Sequence, residues 1–275
     1  MSIVSAIFYG IIQGLTEFLP VSSSGHLSIL QNIFGMENME ETRFAFTVLL
    51  HFATLAAVFI VYWKDIIPLI PAFFTMIGKL FHGKFRLSSY TNDEKMVIFV
   101  ILATLPLVPA MLVKKYVEVL YGYTKIIGLI LLFNAAVLFV SDMLSRGHKE
   151  IGDVKPRNAL VVGLCQMCAL LPGLSRSGST ITGGLTQGFS REFAVKFSFI
   201  LSIPAILGAN ILEIPELVSN PVPSGDLAAY AAGMLTALLA GIAAMKLLIY
   251  ISRRTNFRIF SYYCAAVGVI ALIFG

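Results

Sequence analysis

Charged residues are scarce in this chain. Asp, Glu, Lys and Arg make up 13% of its 275 residues, about half of the roughly 25% that is usual in soluble domains. Hydrophobic residues make up 57%, and several apolar stretches approach or exceed the ~20 residues that a helix needs to cross a bilayer. This composition argues against a soluble globular protein and predicts an integral membrane protein.

A concentrated basic face is also missing. The formal net charge is +5, but the Lys and Arg residues are spread over short segments between apolar stretches. Nucleic-acid binding requires basic residues gathered on one face, so we exclude it. The N-terminus lacks the basic region and the cleavage site of a secretory signal, and we expect the hydrophobic segments themselves to direct membrane insertion.

Cysteine is rare, with three residues that all lie in apolar sequence. The spacing Cys165-x-x-Cys168 is compatible with a redox or metal pair. No second pair or nearby histidine completes such a site, so we favour small buried side chains in a helix. The sequence also lacks a Walker loop, a dinucleotide-binding fingerprint and the H-E-x-x-H motif of zinc proteases.

Two related polar motifs interrupt the apolar sequence, one in each half. Gly10-Ile-Ile-Gln13 leads through Glu17 to the sequence PVSSSGH at 20–26, and Gly163-Leu-Cys-Gln166 leads to PGLSRSGST at 172–180. Polar groups at such depth are costly in hydrocarbon unless they line a cavity or meet a ligand. We therefore interpret the two loops as two walls of one site.

The hydrophobic pattern predicts an all-α polytopic membrane protein. Segments 2–34 and 159–189 are each broken by polar residues and proline, which favours two re-entrant helix hairpins over simple spans. Residues 66–81 contain two prolines, and we expect an interfacial helix there. About six full transmembrane helices are predicted, at 44–63, 96–113, 126–140, 193–212, 227–250 and 259–274.

Loop charge orients these segments. Basic loops face the cytoplasm, which places 79–95, 146–157 and 253–258 inside and the acidic loops 35–43 and 213–226 outside. Each half of a single membrane domain, residues 1–150 and 151–275, then holds one hairpin and three spans in opposite orientation. The pattern predicts an inverted-topology repeat, whose broken helices meet near the membrane midplane. It depends on 66–81 not crossing the membrane.

The first hairpin carries a pair of oxygen ligands. Gln13 and Glu17 are one helical turn apart, so both side chains fall on one helix face. Such oxygens suit Mg²⁺ or Ca²⁺, with phosphate oxygens of a substrate completing the coordination shell. The alternative for Glu17 is a helix-end glutamate at the level of the lipid headgroups.

A serine–histidine loop follows this helix. Three serines, Ser22, Ser23 and Ser24, usually form a solvated turn, but their position after Glu17 favours contact with a ligand. His26 can act as proton donor, base or nucleophile near neutral pH. His51 lies in the next span without a polar cluster, and we interpret it as a packing histidine.

The second hairpin holds an arginine among hydroxyl groups. Arg176 offers bidentate hydrogen bonds, and the hydroxyls and amides at a helix start add neutral donors, while Gly173 lets the backbone bend. This predicts a phosphate receptor. The alternatives are an arginine that reaches to the interface or one that pairs structurally with Glu17. For the intramembrane Asn134 and Asn210 we expect interhelical hydrogen bonds. A phosphorylated ligand at a protein with so little soluble mass is expected to be a lipid.

The motifs Gln13-x-x-x-Glu17, PVSSSGH and PGLSRSGST resemble the undecaprenyl-diphosphatase family, also called bacitracin-resistance proteins. The resemblance extends over essentially the whole chain. It implies a bacterial inner-membrane enzyme, dependent on Mg²⁺ or Ca²⁺, that removes one phosphate from undecaprenyl diphosphate and so recycles the carrier lipid for peptidoglycan. It also implies an inverted repeat with two re-entrant hairpins. The family has Glu or Gln where this chain has Gln13, so Glu17 is the only anionic metal ligand of its motif.

From this resemblance we expect three sets of site residues. The metal is expected on Gln13 and Glu17, and the catalytic residues are expected to be Glu17, Ser23, His26 and Arg176. Either Ser23 attacks with His26 as base, or water attacks with His26 as acid. Substrate binding is expected from Gln13, Ser22, Ser24, Gly173, Ser175, Ser177 and Thr180.

The expected partners are the lipid substrate and membrane lipids, with the site opening to the outer, periplasmic face. A monomer and a homodimer both stay open. The rival function is a transporter or flippase of a lipid phosphate or small anion, since inverted repeats with broken helices are also transporter architecture.

Overall fold

A computed structural model describes residues 1–33, 40–83, 86–143, 147–219, 224–254 and 256–275. Within these ranges the regular elements are helices, and the only β-pairing is an isolated parallel bridge between Lys149 and Phe189. The predicted all-α class is confirmed. Parts of five predicted loops lie outside the described residues, namely 35–39, 84–85, 146, 220–223 and 255.

The structure contains fourteen α-helices in the described ranges, joined by short turns of 3-10 helix. In chain order they are α1 Ile3–Phe18, α2 Ser23–Ile33, α3 Glu40–Val61, α4 Trp63–Ile66, α5 Leu69–Phe81, α6 Asn92–Thr104, α7 Leu107–Ala110, α8 Lys114–Glu118, α9 Thr124–Met143, α10 Pro156–Cys168, α11 Arg176–Thr186, α12 Arg191–Ser219, α13 Leu227–Arg254 and α14 Arg258–Phe274.

Four helical runs in the described ranges are long and apolar enough to cross a membrane, namely Asn92–Gly122, which joins α6 to α8, together with α9, α12 and α13. A fifth would be α3 taken with α4 and α5, which are bent by 79° at a break near Tyr62. α14 has 17 residues and is shorter than these runs. The molecule is therefore a membrane protein with several apolar helices.

The segment 66–81, predicted to be interfacial, runs from the last residue of α4 to the end of α5, after the sharp bend that ends α3. Pro68 precedes α5 and Pro71 lies in its first turn, where a missing backbone N–H breaks no helical hydrogen bond. The predicted start of the loop at 213 is wrong, because α12 continues to Ser219 with Pro204 and Pro215 inside it.

Each polar motif lies in a helix–turn–helix unit. α1 and α2 have 16 and 11 residues, and α10 and α11 have 13 and 11, so each helix is shorter than the ~20 residues of a membrane span. Ser22 in the first turn has a φ of 72°, and Gly173 in the second has a φ of 97°. Both turns thus reverse the chain through the left-handed region.

Corresponding helices of the two halves make corresponding contacts. α1 packs on α13 while α10 packs on α6, and α3 contacts α13 while α12 contacts α6. The first glycine of each G-x-x-Q motif explains the close approach. A Cβ on Gly10 would collide with the carbonyl of Gly233, and a Cβ on Gly163 would collide with the carbonyl of Ala103. Small residues therefore let these helix backbones touch.

All three cysteines are free. Cys264 is buried, Cys165 is half-buried and Cys168, the last residue of α10, is exposed. The expectation of small buried side chains for the Cys165-x-x-Cys168 pair is met in part by Cys165 and is wrong for Cys168, which is exposed at the end of α10.

Candidate active site

The two polar turns meet at one cavity of about 260 Å³. Glu17, Ser23 and Ser24 line it from the first hairpin, and Ser175 and Arg176 line it from the second. α3 and α12 supply further parts of the wall. The structure thus brings the two motifs together around a single space inside the helical bundle.

An ion pair connects the two hairpins. Arg176 Nη2 donates to Glu17 Oε1 at 2.6 Å. The side chains are 17% and 7% exposed, so both charges are largely removed from water. Pairing with an opposite charge at short range is what allows such groups to be buried. The structural pairing considered for Arg176 therefore does form, and it forms on the wall of the cavity.

The other carboxylate oxygen of Glu17 has two donors. Ser23 Oγ donates to Glu17 Oε2 at 2.8 Å, and Gln13 Nε2 donates to the same oxygen at 3.1 Å. Gln13 is fully buried, and its Oε1 has no hydrogen-bond partner among the described residues. Gln13 itself does not line the cavity. It lies behind Glu17 and orients the carboxylate, with one acceptor still free.

The first turn is held by its own side chains. Ser22 Oγ accepts from the backbone N–H of Gly25 at 3.2 Å, and Ser22 and Ser24 hydroxyls are 3.4 Å apart. The positive φ of Ser22 places α2 directly after it. Ser23, the first residue of α2, is thereby directed at Glu17.

The second turn presents a helix N-terminus to the cavity. Ser175 caps α11, and its Oγ accepts from the backbone N–H of Gly178 at 3.1 Å. Arg176 is the first residue of α11. The unpaired N–H groups and the dipole of a helix start favour an anion. The start of α11 and the guanidinium of Arg176 therefore both favour a negatively charged ligand at the cavity. A Cβ on Gly25 would lie 2.9 Å from Gly173 Cα, which shows how closely the turns approach.

Asn134 of α9 joins both turns. Its Oδ1 accepts from the backbone N–H of Ser175 at 3.2 Å, and its Nδ2 donates to Pro20 O at 3.1 Å. The expected interhelical role of Asn134 is confirmed. Its use in positioning both loops of the site was not predicted, although a buried amide between two polar motifs is the available signal.

Ser177 and Thr180 do not line the cavity in the described structure. Ser177 Oγ donates to Leu19 O at 3.2 Å. Thr180 Oγ1 lies 2.8 Å from Arg176 O and 2.6 Å from Ser198 Oγ. Three residues apart, the two share the face of α11 that packs on its neighbours. Both hydroxyls thus have partners that hold α11 in place, and their expected role as phosphate ligands stays a prediction.

His26 also lies away from the cavity wall as described. Its Nδ1 is 2.8 Å from Ser22 O, and its Nε2 is 2.9 Å from the hydroxyl of Tyr263. The imidazole stacks on the Tyr263 ring at a centroid distance of 5.5 Å. His26 is one turn into α2 and faces α14, so the structure places it behind the serine turn. In this position His26 supports the serine turn, and its expected role as base or acid at the reacting atoms stays a prediction.

His51 takes the place on the cavity that was expected for His26. It lines the cavity, and its Nε2 lies 3.9 Å from Glu17 Oε2. Its Nδ1 is 2.9 Å from Thr47 O, so this nitrogen carries the proton of the neutral ring. The interpretation of His51 as a packing residue is wrong. A histidine inside a span is itself a functional signal, which was outweighed by the apolar sequence around it.

In the described part of the chain, no group of three or more His, Cys, Asp and Glu side chains is arranged to hold a metal ion. Any cation at this cavity would therefore be held by Glu17, by neutral oxygens and by the ligand itself. Magnesium is often bound in this way, through one or two carboxylates and substrate phosphates.

Comparison with known proteins gives a consistent result. The family model described as bacitracin resistance protein BacA matches residues 6–270. A protein of Methanosphaera stadtmanae named undecaprenyl-diphosphatase is 39% identical over 277 residues, which cover 99% of this chain and 98% of that protein. Proteins of the same name from Methanobrevibacter smithii and Alkaliphilus metalliredigens are each 40% identical over 276 residues, covering 99% and 100% of this chain and 98% and 99% of theirs.

Proposed function

This chain belongs to the family of the bacitracin resistance protein BacA, and from this premise we propose that it hydrolyses undecaprenyl diphosphate to undecaprenyl phosphate and phosphate. Full-length relatives that carry the name undecaprenyl-diphosphatase support the reaction. The observation that carries the proposal is the Glu17–Arg176 pair at 2.6 Å, which joins both family motifs at one cavity.

The transporter alternative has no comparable support. The relatives compared with this chain carry the name of a hydrolase. A carrier for an anion has a use for Arg176, but none for a serine hydroxyl that donates to a buried carboxylate. The contact between Ser23 and Glu17 is therefore the structural reason to prefer hydrolysis.

Arg176 is suited to bind a phosphoryl group while it keeps its ion pair. Nη2 holds Glu17, and Nη1 is buried with no partner among the described residues. A phosphate at the start of α11 would accept hydrogen bonds from Nη1 and from those backbone N–H groups of the first helical turn that Ser175 Oγ does not bind. These donors are fixed before substrate arrives, so they stabilise charge that develops on the phosphoryl oxygens during transfer.

Ser23 and Glu17 form a nucleophile and base in contact. With Ser23 Oγ donating to Glu17 Oε2 at 2.8 Å, Glu17 can accept the proton as Oγ attacks phosphorus. The P–O bond to the bridging oxygen breaks, and undecaprenyl phosphate leaves. Water then hydrolyses the phosphoserine and releases inorganic phosphate. Gln13 keeps the carboxylate in place, and His26 supports the turn that directs Ser23.

The residues fit a Mg²⁺ or Ca²⁺ ion. Gln13 must turn Nε2 toward Glu17, which leaves its buried Oε1 as a free acceptor beside the carboxylate. A cation held by Glu17 and substrate oxygens would neutralise part of the diphosphate charge. Gln13 Oε1 would join these ligands if its side chain turned toward the cavity, which it does not line in the described structure.

The membrane arrangement that we propose has two re-entrant hairpins, α1–α2 and α10–α11, in an inverted repeat of residues 1–150 and 151–275. The matching contacts of α1 with α13 and of α10 with α6 support it, as do the equivalent positions of Gly10 and Gly163. If the two halves are exchanged, the contact of α1 with α13 becomes the contact of α10 with α6, so this pair of contacts is unchanged.

The ends of the molecule support an outward-facing site in the cytoplasmic membrane. At one end Asp142 pairs with Arg191 and Arg258, next to the basic segments expected in the cytoplasm. The cavity instead reaches Tyr121 and Glu213, near the C-terminal end of α12, far along the helix from Arg191. Basic loops stay inside, so the cavity opens on the other side.

The test is phosphate release from undecaprenyl diphosphate by purified protein in detergent, with Mg²⁺ and with EDTA. Wild type is compared with Arg176→Ala and with Arg254→Ala, whose guanidinium lies over the exposed Tyr250 ring away from the cavity. We expect wild type and Arg254→Ala to release phosphate, and Arg176→Ala to lose about 10²- to 10³-fold in rate. Well-folded wild type that releases none with any cation would refute the enzyme.

A further inference from the structure

Two buried amides on the cavity wall have unpaired polar atoms. Asn210 of α12 is 1% exposed and Gln166 of α10 is 2% exposed. Among the residues that the structure describes, Asn210 Nδ2 and Gln166 Oε1 have no hydrogen-bond partner. Both residues line the cavity that Glu17 and Arg176 line. Buried polar groups without partners are rare and costly in folded proteins, and here both belong to residues of the cavity wall.

Neither residue behaves like a packing amide. Asn134 shows what such an amide does, since its oxygen and its nitrogen both bond to neighbouring elements. Gln166 Nε2 reaches Ala103 O only at 3.5 Å, the limit of a hydrogen bond. An interhelical hydrogen bond is expected for Asn210, and its Nδ2 makes none to the described residues. Packing therefore leaves one donor group and one acceptor at this wall.

The free donor of Asn210 suits a phosphoryl group. Asn210 Nδ2 offers N–H donors to P–O oxygens, and Gln166 Oε1 accepts from a water molecule held beside them. The cavity of about 260 Å³ is several times the ~30 Å³ that a water molecule occupies in the liquid, so it holds more than the phosphate at Arg176. Glu213 also lines it, with the ammonium of Lys114 at 3.5 Å from its carboxylate to offset the charge.

We propose that Asn210 and Gln166 form a second phosphoryl subsite, which binds the phosphate of the diphosphate that is not at Arg176. The assignment rests on the proposed function, because a diphosphate supplies two phosphoryl groups joined by one oxygen. The subsite makes the cavity prefer a diphosphate to a monophosphate. Neutral amides contribute this preference without adding a positive charge that would retain the product phosphate.

The experiment compares wild type, Asn210→Ala, Asn210→Asp and Gln166→Met in detergent. The matched control is Ser202→Ala, since Ser202 is a buried polar residue of α12 whose hydroxyl bonds to Phe199 O and does not line the cavity. Three quantities are measured for each: KM for undecaprenyl diphosphate, and the binding constants of inorganic pyrophosphate and of inorganic phosphate by calorimetry. Thermal unfolding identifies any variant that does not fold.

We expect KM and the pyrophosphate dissociation constant to rise about ten- to a hundredfold in Asn210→Ala, the effect of losing a hydrogen bond to a charged group. Phosphate binding should change less than about twofold, because Arg176 is intact. Asn210→Asp should lose more affinity for pyrophosphate than Asn210→Ala, since its carboxylate repels the anion. In Gln166→Met both KM and the pyrophosphate dissociation constant should rise, as in Asn210→Ala. Ser202→Ala should match wild type in all three measurements.

Folded variants that bind pyrophosphate as wild type does would overturn the subsite, as would equal losses for phosphate and pyrophosphate. A higher dissociation constant for pyrophosphate with an unchanged KM for the lipid would show that free pyrophosphate, and not the substrate, binds these amides. That result would also overturn the proposed subsite. Failure of the proposed function looks different. Wild type would then release no phosphate, yet would bind pyrophosphate in a manner that depends on Asn210.

Discussion

Glu17 and Arg176 are 159 positions apart in the chain and meet in a buried ion pair of 2.6 Å. The contact joins the end of α1 to the beginning of α11. Glu17 also accepts from Ser23 and Gln13, so a single carboxylate organises both hairpins. Changes at this pair should therefore affect the stability of the molecule as well as its chemistry.

The first prediction concerns that stability. Glu17→Gln should destabilise the protein by about 3–5 kcal/mol, because Arg176 is left as an unpaired buried charge. Adding Arg176→Met should restore much of this stability and none of the activity. Denaturant unfolding in detergent measures both. The exposed pair of Glu192 and Arg253 serves as control, and its double-mutant cycle should give about 0.2–1 kcal/mol. Equal coupling energies for the two pairs would contradict the prediction.

Ser23 and Ser24 allow a matched test of whether Ser23 is the nucleophile. Both line the cavity, but in the described structure it is the hydroxyl of Ser23 that donates to Glu17, at 2.8 Å. Ser23→Ala should reduce phosphate release by at least about 10²-fold, and Ser24→Ala by much less. Rapid acid quench followed by mass spectrometry should find phosphate on Ser23 in wild type. Turnover by Ser23→Ala at a rate near wild type would assign the attack to water.

His26 should act as a positioning residue. Its Nδ1 holds Ser22 O at 2.8 Å, which fixes the turn before Ser23. His26→Ala should lower kcat about ten- to a hundredfold, and His26→Asn, which can still donate to that carbonyl, should recover part of the loss. An Asn variant as inactive as the Ala variant would mean that the imidazole itself takes part in proton transfer.

His51 should matter for turnover and little for folding. Its Nε2 lies 3.9 Å from Glu17 Oε2 at the cavity, so His51→Ala should lower kcat/KM about tenfold or more with an almost unchanged unfolding midpoint. His82→Ala is the control, because His82 makes the same type of Nδ1 contact, to Gly78 O at 2.7 Å, on an exposed helix end. A large loss of stability in His51→Ala alone would restore the packing interpretation.

The last prediction tests the close helix contacts. Gly10→Ala and Gly163→Ala should each destabilise the protein by about 1–3 kcal/mol, since the added methyl group meets a backbone carbonyl of the facing helix. In Gly78→Ala the new Cβ meets nothing within 4 Å, so this variant should be neutral or up to about 1 kcal/mol more stable. Thermal unfolding compares the three. Similar midpoints for all would show that the contacts are looser than the structure indicates.

The sequence alone was sufficient for the helical class, for most of the apolar segments and for the meeting of the two motifs. The reason is energetic. A carboxylate such as Glu17 and a guanidinium such as Arg176 cannot remain apart in hydrocarbon at low cost, so their presence in two apolar segments predicts one shared polar space. The repeated G-x-x-Q motif likewise indicated two related hairpins, and its glycines prove to be where helices touch.

Only the tertiary structure decided which side chains face that space. Sequence spacing tells which residues share a helix face, but not which helix lies opposite. His26 therefore faces Tyr263 while His51 faces Glu17, and Thr180 packs on Ser198 instead of the cavity. The same holds for Asn210, which the sequence could not distinguish from Asn134. One amide finds partners on both sides and the other keeps a free donor, because the neighbours of each are set by helices far away in the chain.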